Sequence, residues 1–239
     1  MKKAQYGILN GMDGAGKGVQ FEKLLALYPT SIRLREPGGT PEAEVIRSVL
    51  LDVEPSVRHR IDVLLALLGN PVITPLTSRY VEDAIEEMEK NGLSGIAESY
   101  LYAASRAQSN ETVVQPALAN GQTVLAERSV ACSMAYQGHA RGLGMDFVWE
   151  LNSRAIQNAM PTFEIFLDVP PEVAQKRLRG RTEKQDRLDQ ESFDFHVKSR
   201  EGYLRYYKEY CPYEYHIIDA SGSIDEVHEQ IIKIVHQYV

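Results

Sequence analysis

Cysteine and tryptophan are scarce in this sequence, and it has no long apolar run. Two cysteines in 239 residues, Cys132 and Cys211, cannot build a disulfide framework. That excludes a small stapled secreted scaffold and suits a reducing cytosol. The longest apolar run, Val63-Leu64-Leu65-Ala66-Leu67-Leu68, falls far short of a bilayer span, so no membrane partner is expected. Two lysines open the chain, but no apolar core follows them as it would in a signal peptide, so a cytoplasmic protein is expected. Positive charge is short as well: 26 Lys and Arg face 33 Asp and Glu, a net charge of −7. This balance argues against a general nucleic-acid binder. The six histidines lack metal-ligand spacing. With no repeat, low-complexity tract or linker, one domain over residues 1–239 is expected.

Glycine, by contrast, is concentrated where it carries meaning. Gly11-Met12-Asp13-Gly14-Ala15-Gly16-Lys17 directly follows the apolar run Tyr6-Gly7-Ile8-Leu9. Gly-x-x-x-x-Gly-Lys between a strand and a helix is a phosphate-cradling loop. Its glycines let successive amide N–H groups surround one anion, and the lysine adds a point charge. A helix starting at Lys17 would aim its positive end at the same phosphates. The usual motif continues with a hydroxyl residue that binds Mg2+; here Gly18 and Val19 follow.

Apolar runs bounded by turns alternate with helical patterns, the signature of an α/β fold in which helices cover both faces of a parallel sheet. Strands are expected at residues 6–10, 31–35, 123–127, 163–169 and 215–219. Helices are expected to begin near Lys17, Pro41, Ser99, Gly144, Pro171, Gln190 and Ile224. The last is marked by Ser223 and Glu226 at capping-box spacing, with Ile224, Val227, Ile231, Ile234 and Val235 on one face. Ligands in such folds bind beyond the carboxyl ends of the strands. That places the 11–17 loop, the Arg35-Glu36-Pro37 turn and the Glu127-Arg128 pair on one edge. Residues 177–187 intersperse Arg177, Arg179, Arg181 and Arg187 with acids, which reads either as a solvated surface turn or as a lid over a polyphosphate.

Taken in order, these elements resemble the thymidylate kinase family. The segments that carry the resemblance are the 11–17 loop, Arg35-Glu36-Pro37-Gly38-Gly39-Thr40, Leu101-Tyr102-Ala103-Ala104-Ser105-Arg106-Ala107-Gln108, Glu127-Arg128, Ala135-Tyr136-Gln137-Gly138 with Arg141-Gly142, and Asp186-Arg187. The resemblance implies a P-loop nucleoside monophosphate kinase fold with a five-stranded parallel sheet. It also implies ATP as donor, dTMP as acceptor, Mg2+ as cofactor and a homodimer.

Carried onto these positions, the family pattern gives each residue a role. Gly11, Met12, Asp13, Gly14, Ala15, Gly16, Lys17 and Gly18 would bind ATP. Lys17, Arg128, Asp13 and the lid arginine Arg181 would serve catalysis, with Arg177, Arg179 and Arg187 as substitutes for Arg181. Ala15 stands where some members carry a catalytic arginine, so the chain resembles the bacterial type, which uses a lid arginine instead. Arg47 and Arg128 would hold the dTMP phosphate, where the planar guanidinium matches phosphate oxygens. Tyr102 would stack on thymine, Arg106 would donate to a base carbonyl, and Ser133 and Gln137 would bind the pyrimidine edge. Tyr136 would crowd a ribose 2′-hydroxyl, and Glu36 would lie near the acceptor.

The chain departs from the family pattern in three places. Gly18-Val19 replaces the hydroxyl pair, so Mg2+ is expected through water, helped by Asp13 or Glu127. Glu127-Arg128-Ser129 stands where the family has Asp-Arg-Tyr or Asp-Arg-His. Residues 58–93 read as a helical insertion, either packed on the body or altering a dimer contact or covering the acceptor. Other readings are a kinase for a different pyrimidine monophosphate and a catalytically weakened nucleotide-binding relative.

Overall fold

The computed structural model describes residues 3–51, 93–180, 188 and 191–239. Along them run β1 (Tyr6–Gly11), α1 (Lys17–Leu27), β2 (Ile32–Arg35), α2 (Pro41–Leu51), α3 (Gly95–Ser109), α4 (Gln115–Ala119), β3 (Val124–Glu127), α5 (Val130–Ser133), α6 (Met145–Ile156), β4 (Phe163–Asp168), α7 (Pro171–Arg179), α8 (Phe193–Glu209), β5 (Glu214–Asp219) and α9 (Ile224–Tyr238). A π-helical stretch, Asn110–Val114, joins α3 to α4, and another, Met134–Ala140, extends α5. Most of the expected 58–93 insertion, and Arg181 and Arg187 of the expected lid, lie outside the described residues.

The five strands form one parallel sheet in the order β2-β3-β1-β4-β5. All six residues of β1 are buried, as a central parallel strand covered on both faces demands. Period-2 alternation sends its side chains to two cores. Tyr6 and Ile8 pack with Leu34, Val124, Ala126 and Ala117 of α4. Leu9 belongs to the larger core, with Phe21 and Leu24 of α1, Val235 of α9 and Tyr203 of α8. Phe166 of β4 stacks on Tyr203, with ring centroids 4.8 Å apart.

The five expected strands agree with the observed ones to within a residue at each end. The capping box at α9 is present, with Ser223 and Glu226 each accepting from the other's backbone N–H. Ile224 is a correction: it is exposed, and the buried face runs through Val227, Ile231 and Val235. Helix α3 begins at Gly95 rather than near Ser99, because the Ser94 side chain accepts from Ala97 N at 3.2 Å and caps the first turn. Helix α8 begins at Phe193, again behind a serine cap, Ser192. Helices α4 and α5 have no counterpart among the expected elements.

Candidate active site

The loop from Gly11 to Lys17 leaves β1 and enters α1 through two left-handed glycines, Gly14 at φ 82° and Gly16 at φ 85°. No side chain caps α1 at Gly16, so its first amides are open to an incoming anion. Lys17 is folded back over the loop: its Nζ donates to the Met12 carbonyl at 2.8 Å and lies 3.5 Å from Asp13 Oδ1. Burial and the nearby Arg128 charge push its ammonium pKa down, while Asp13 opposes them.

The neighbouring strand ends are bonded to one another. Arg128 N donates to the Leu9 carbonyl at 3.1 Å, and Glu36 N donates to the Glu127 carbonyl at 2.9 Å. Three turns thus emerge side by side from β1, β2 and β3, as the order of the motifs implied. The turn after β2 is held from above by α3. Ser105 Oγ accepts from Gly38 N at 3.1 Å, and Ser109 Oγ donates to the Gly38 carbonyl at 2.7 Å. Gly38 and Gly39 both have positive φ there, at 126° and 90°. Arg128 is the non-glycine counterpart at φ 70°, a left-handed conformation that costs energy in any L-residue with a β-carbon.

These turns help to line a partly open cavity, whose empty space with the adjoining solvent comes to about 400 Å³. All eight residues expected at an acceptor nucleotide line it: Glu36, Arg47, Tyr102, Arg106, Arg128, Ser133, Tyr136 and Gln137. They come from four separate segments of chain. Arg106 is buried and donates through Nε to Glu36 Oε2 at 2.7 Å, and through Nη1 to Ser133 and Asn152. Arg47 donates to the Pro37 carbonyl at 3.0 Å. Burial raises the Glu36 pKa and the Arg106 charge pulls against it, with the net direction upward.

Asp13 ties the loop to the cavity. One oxygen accepts from Arg128 Nη2 and the other from the Tyr136 hydroxyl at 3.0 Å. Burial alone would raise its pKa. The Arg128 and Lys17 charges, with hydrogen bonds from Arg128 and Tyr136, outweigh burial and hold the carboxyl well below its ordinary value. The side-chain carboxylate of Glu127, at the end of β3, makes no hydrogen bond or ion pair among the described residues, whereas its carbonyl is taken by Glu36 N.

A phosphate loop placed one side chain away from a basic, aromatic-walled cavity is the arrangement for bringing two phosphorylated ligands together. Comparison with known proteins identifies the family. The family model for thymidylate kinase matches residues 74–231. A thymidylate kinase from Thermoanaerobacter sp. (strain X514) is 36% identical, covering 99% of this chain and 100% of that protein. The chain belongs to the thymidylate kinase family. A relative in Leuconostoc mesenteroides is 33% identical, over 99% of this chain and 97% of its own. A thymidylate kinase structure from Ehrlichia chaffeensis shares the fold, with a TM-score of 0.61 at 21% identity, covering 98% of this chain and 99% of that one.

Within this family fold, some expected site residues are committed elsewhere. Arg177, a substitute for the lid arginine, donates to the carbonyls of Ala220, Ser221 and Gly222 at 2.9, 3.2 and 3.2 Å. It therefore tethers α7 to the β5–α9 loop. Arg179 turns back to Gln175 of its own helix at 3.1 Å. Sequence reasoning also missed wall residues: Pro37, Leu51, Ser129, Cys132 and Leu188 line the cavity too. Ser129, Cys132, Ser133, Tyr136 and Gln137 recur at helical spacing, which was the available signal. Glu98 and Asn152 were missed as well. Glu98, Tyr102 and Arg106 stand four residues apart on one face of α3, so the same periodicity pointed to Glu98.

Proposed function

We propose that the protein transfers the γ-phosphoryl group of ATP to dTMP, giving dTDP and ADP. The observation that carries this reading is the contact between Arg128 and Asp13. It places an arginine of the acceptor cavity directly against the donor loop, so the two phosphate ends would meet there. An oxygen of the dTMP phosphate attacks the γ-phosphorus as its bond to the β-phosphate oxygen breaks. The protein's part is to align the groups and cancel charge.

Loop amides and Lys17 would hold the donor, Lys17 exchanging its contact with Met12 for phosphate oxygens. Arg47 and Arg128 would hold the acceptor phosphate, and Tyr102 would cover the base. Glu36 would position Arg106, and Tyr136 would close the sugar end. The migrating phosphoryl is assigned to a lid arginine, Arg181 first, since Arg177 is anchored to the β5–α9 loop.

Mg2+ fits a site of this kind, because Glu127 leaves a carboxylate free beside the loop and the ion takes its remaining ligands from phosphates and water. Asp13 fits less well, with both oxygens already accepting from Arg128 and Tyr136. When bound, the ion would neutralise the β- and γ-phosphate oxygens. We extend the reading to a cytoplasmic homodimer, the usual state in the family. The exposed Ile96 and Tyr100 on α3 offer an apolar face for it.

A coupled ADP-release assay across dTMP, dUMP, dCMP, AMP and dGMP tests the reading. Turnover with dTMP as the preferred acceptor is expected; binding of both nucleotides without turnover would remove it. In the same assay Arg106→Ala should erode the preference for thymine, while Arg128→Ala should weaken every monophosphate.

A further inference from the structure

The base-facing end of the cavity rests on a carboxylate that does not line it. Glu98 is 3% exposed, and its Oε1 accepts from Gln137 Nε2 at 2.7 Å. Arg141 Nε lies 3.3 Å from the same oxygen, and Arg141 Nη2 lies 2.7 Å from Glu191 Oε1. The Arg141 guanidinium also sits over the Phe195 ring, 5.2 Å from its centroid. Arg141 is thereby fixed, and it supplies the cation that a buried carboxylate needs.

A carboxylate only accepts, so the amide end that faces Glu98 must be the nitrogen. Gln137 Oε1 is left without a hydrogen bond among the described residues, on a side chain that lines the cavity. Arg106 is pinned in the same way. Its Nε and Nη1 are taken by Glu36, Ser133 and Asn152, which leaves Nη2 without a hydrogen bond among the described residues, on a side chain that lines the cavity. The wall therefore offers a donor from Arg106 and an acceptor from Gln137.

Thymine and uracil present the complement, a carbonyl oxygen at C4 beside the N3–H donor. Cytosine presents the reverse, an amino group beside an unprotonated N3. Were the Gln137 amide turned over, its nitrogen would instead suit cytosine N3. We propose that Glu98 is a positioning residue that locks the Gln137 amide with its oxygen toward the base, and so sets the acceptor class to 4-oxo pyrimidines. This rests on the reading of the cavity as a dTMP site.

Glu98→Gln tests it, because a glutamine can both donate and accept and so permits either amide orientation. The readout is the ratio of kcat/KM for dTMP to that for dCMP, which is expected to fall about tenfold, the scale of one mismatched buried hydrogen bond. Glu98→Asp keeps an acceptor-only group and is expected to hold the ratio within about threefold. An unchanged ratio in Glu98→Gln overturns the role, as does an equal fall in both variants. Absence of dTMP turnover in the wild-type enzyme removes the functional reading itself, and this inference with it. A measurement on the wild-type protein stands apart from variant folding. The Gln137 side-chain amide protons should give one hydrogen-bonded, slowly exchanging pair before and after dTMP is added. A pair that reorients on binding would overturn the lock.

Discussion

The backbone carbonyl of Ala174 lies within clashing distance of the place where a β-carbon on Gly14 would stand. Helix α7, which leads into residues 177–187, thus rests directly on the phosphate loop. Gly14→Ala must overcome both the left-handed φ and this overlap, while Gly16 has the same φ with nothing within 4 Å of its would-be β-carbon. We expect Gly16→Ala to cost about 1–2 kcal/mol, the left-handed penalty alone, and Gly14→Ala to cost more than about 3 kcal/mol. Thermal melts of the two variants decide this, and equal shifts would contradict it. ATP affinity measured by calorimetry should fall with Gly14→Ala.

Arg128 serves the cavity and the loop from one strained backbone position. Arg128→Lys keeps a cation beside Asp13, so folding should survive, but it loses the planar fork that can grip phosphate and carboxylate together. A loss in kcat/KM of about 100-fold or more is expected, with every monophosphate affected alike. Steady-state kinetics with dTMP and dUMP check it; a selective loss for one base would place Arg128 on the base rather than the phosphate.

Glu164, fully buried on β4, accepts from the Tyr213 hydroxyl at 3.2 Å. Burial raises its pKa from 4.5 to about 7. Hydrogen bonds from Tyr207, Tyr213 and Ser129 offset part of the rise, and the Glu36 charge adds to it. The folded state therefore holds this proton more tightly than the unfolded chain does. Stability from this group is full below pH 4.5 and falls as pH rises toward 7, by about 3 kcal/mol at most. Glu164→Gln should remove that slope and leave the variant more stable than wild type at pH 8. Denaturant unfolding of both proteins at pH 5 and pH 8 measures the difference, and parallel pH profiles would contradict it.

Gly18 sits in the first turn of α1 with open space around its would-be β-carbon. Gly18→Thr should fit, gain about 0.5 kcal/mol of helix propensity and restore the hydroxyl that Mg2+ prefers. The Mg2+ concentration for half-maximal rate should drop several-fold. If metal dependence and rate both stayed as in wild type, capture at this position would be irrelevant.

The central strands were legible because a parallel strand buried on both faces reads as an unbroken apolar run, as Tyr6 to Leu9 does. The cavity residues were legible through motif order, since Arg47, the Tyr102–Arg106 pair and Arg128 lie far apart in sequence and nothing in the spacing between these segments alone predicts a shared cavity. Helix α5 with its π extension was not. From Val130 to Gly138 every residue is buried, so its polar side chains at helical spacing face a cavity rather than solvent and the stretch lacks the exposed face of an ordinary surface helix. Glu98 escaped for a different reason. It acts through Gln137, and a residue with no expected ligand contact draws no attention. Asp13 could be placed near the phosphates, but only coordinates show that its oxygens are spent on Arg128 and Tyr136.

Strands β1 and β3 are immediate neighbours, with Leu9 paired to Glu127 just before one chain turns into the phosphate loop and the other into Arg128. The two grips are thereby mounted on adjacent rungs of a single ladder. They cannot drift apart without tearing main-chain bonds at the centre of the sheet. On the proposed reading, the backbone would set the span between incoming nucleotides before either arrives, and evolution could retune what each grip accepts without altering that span.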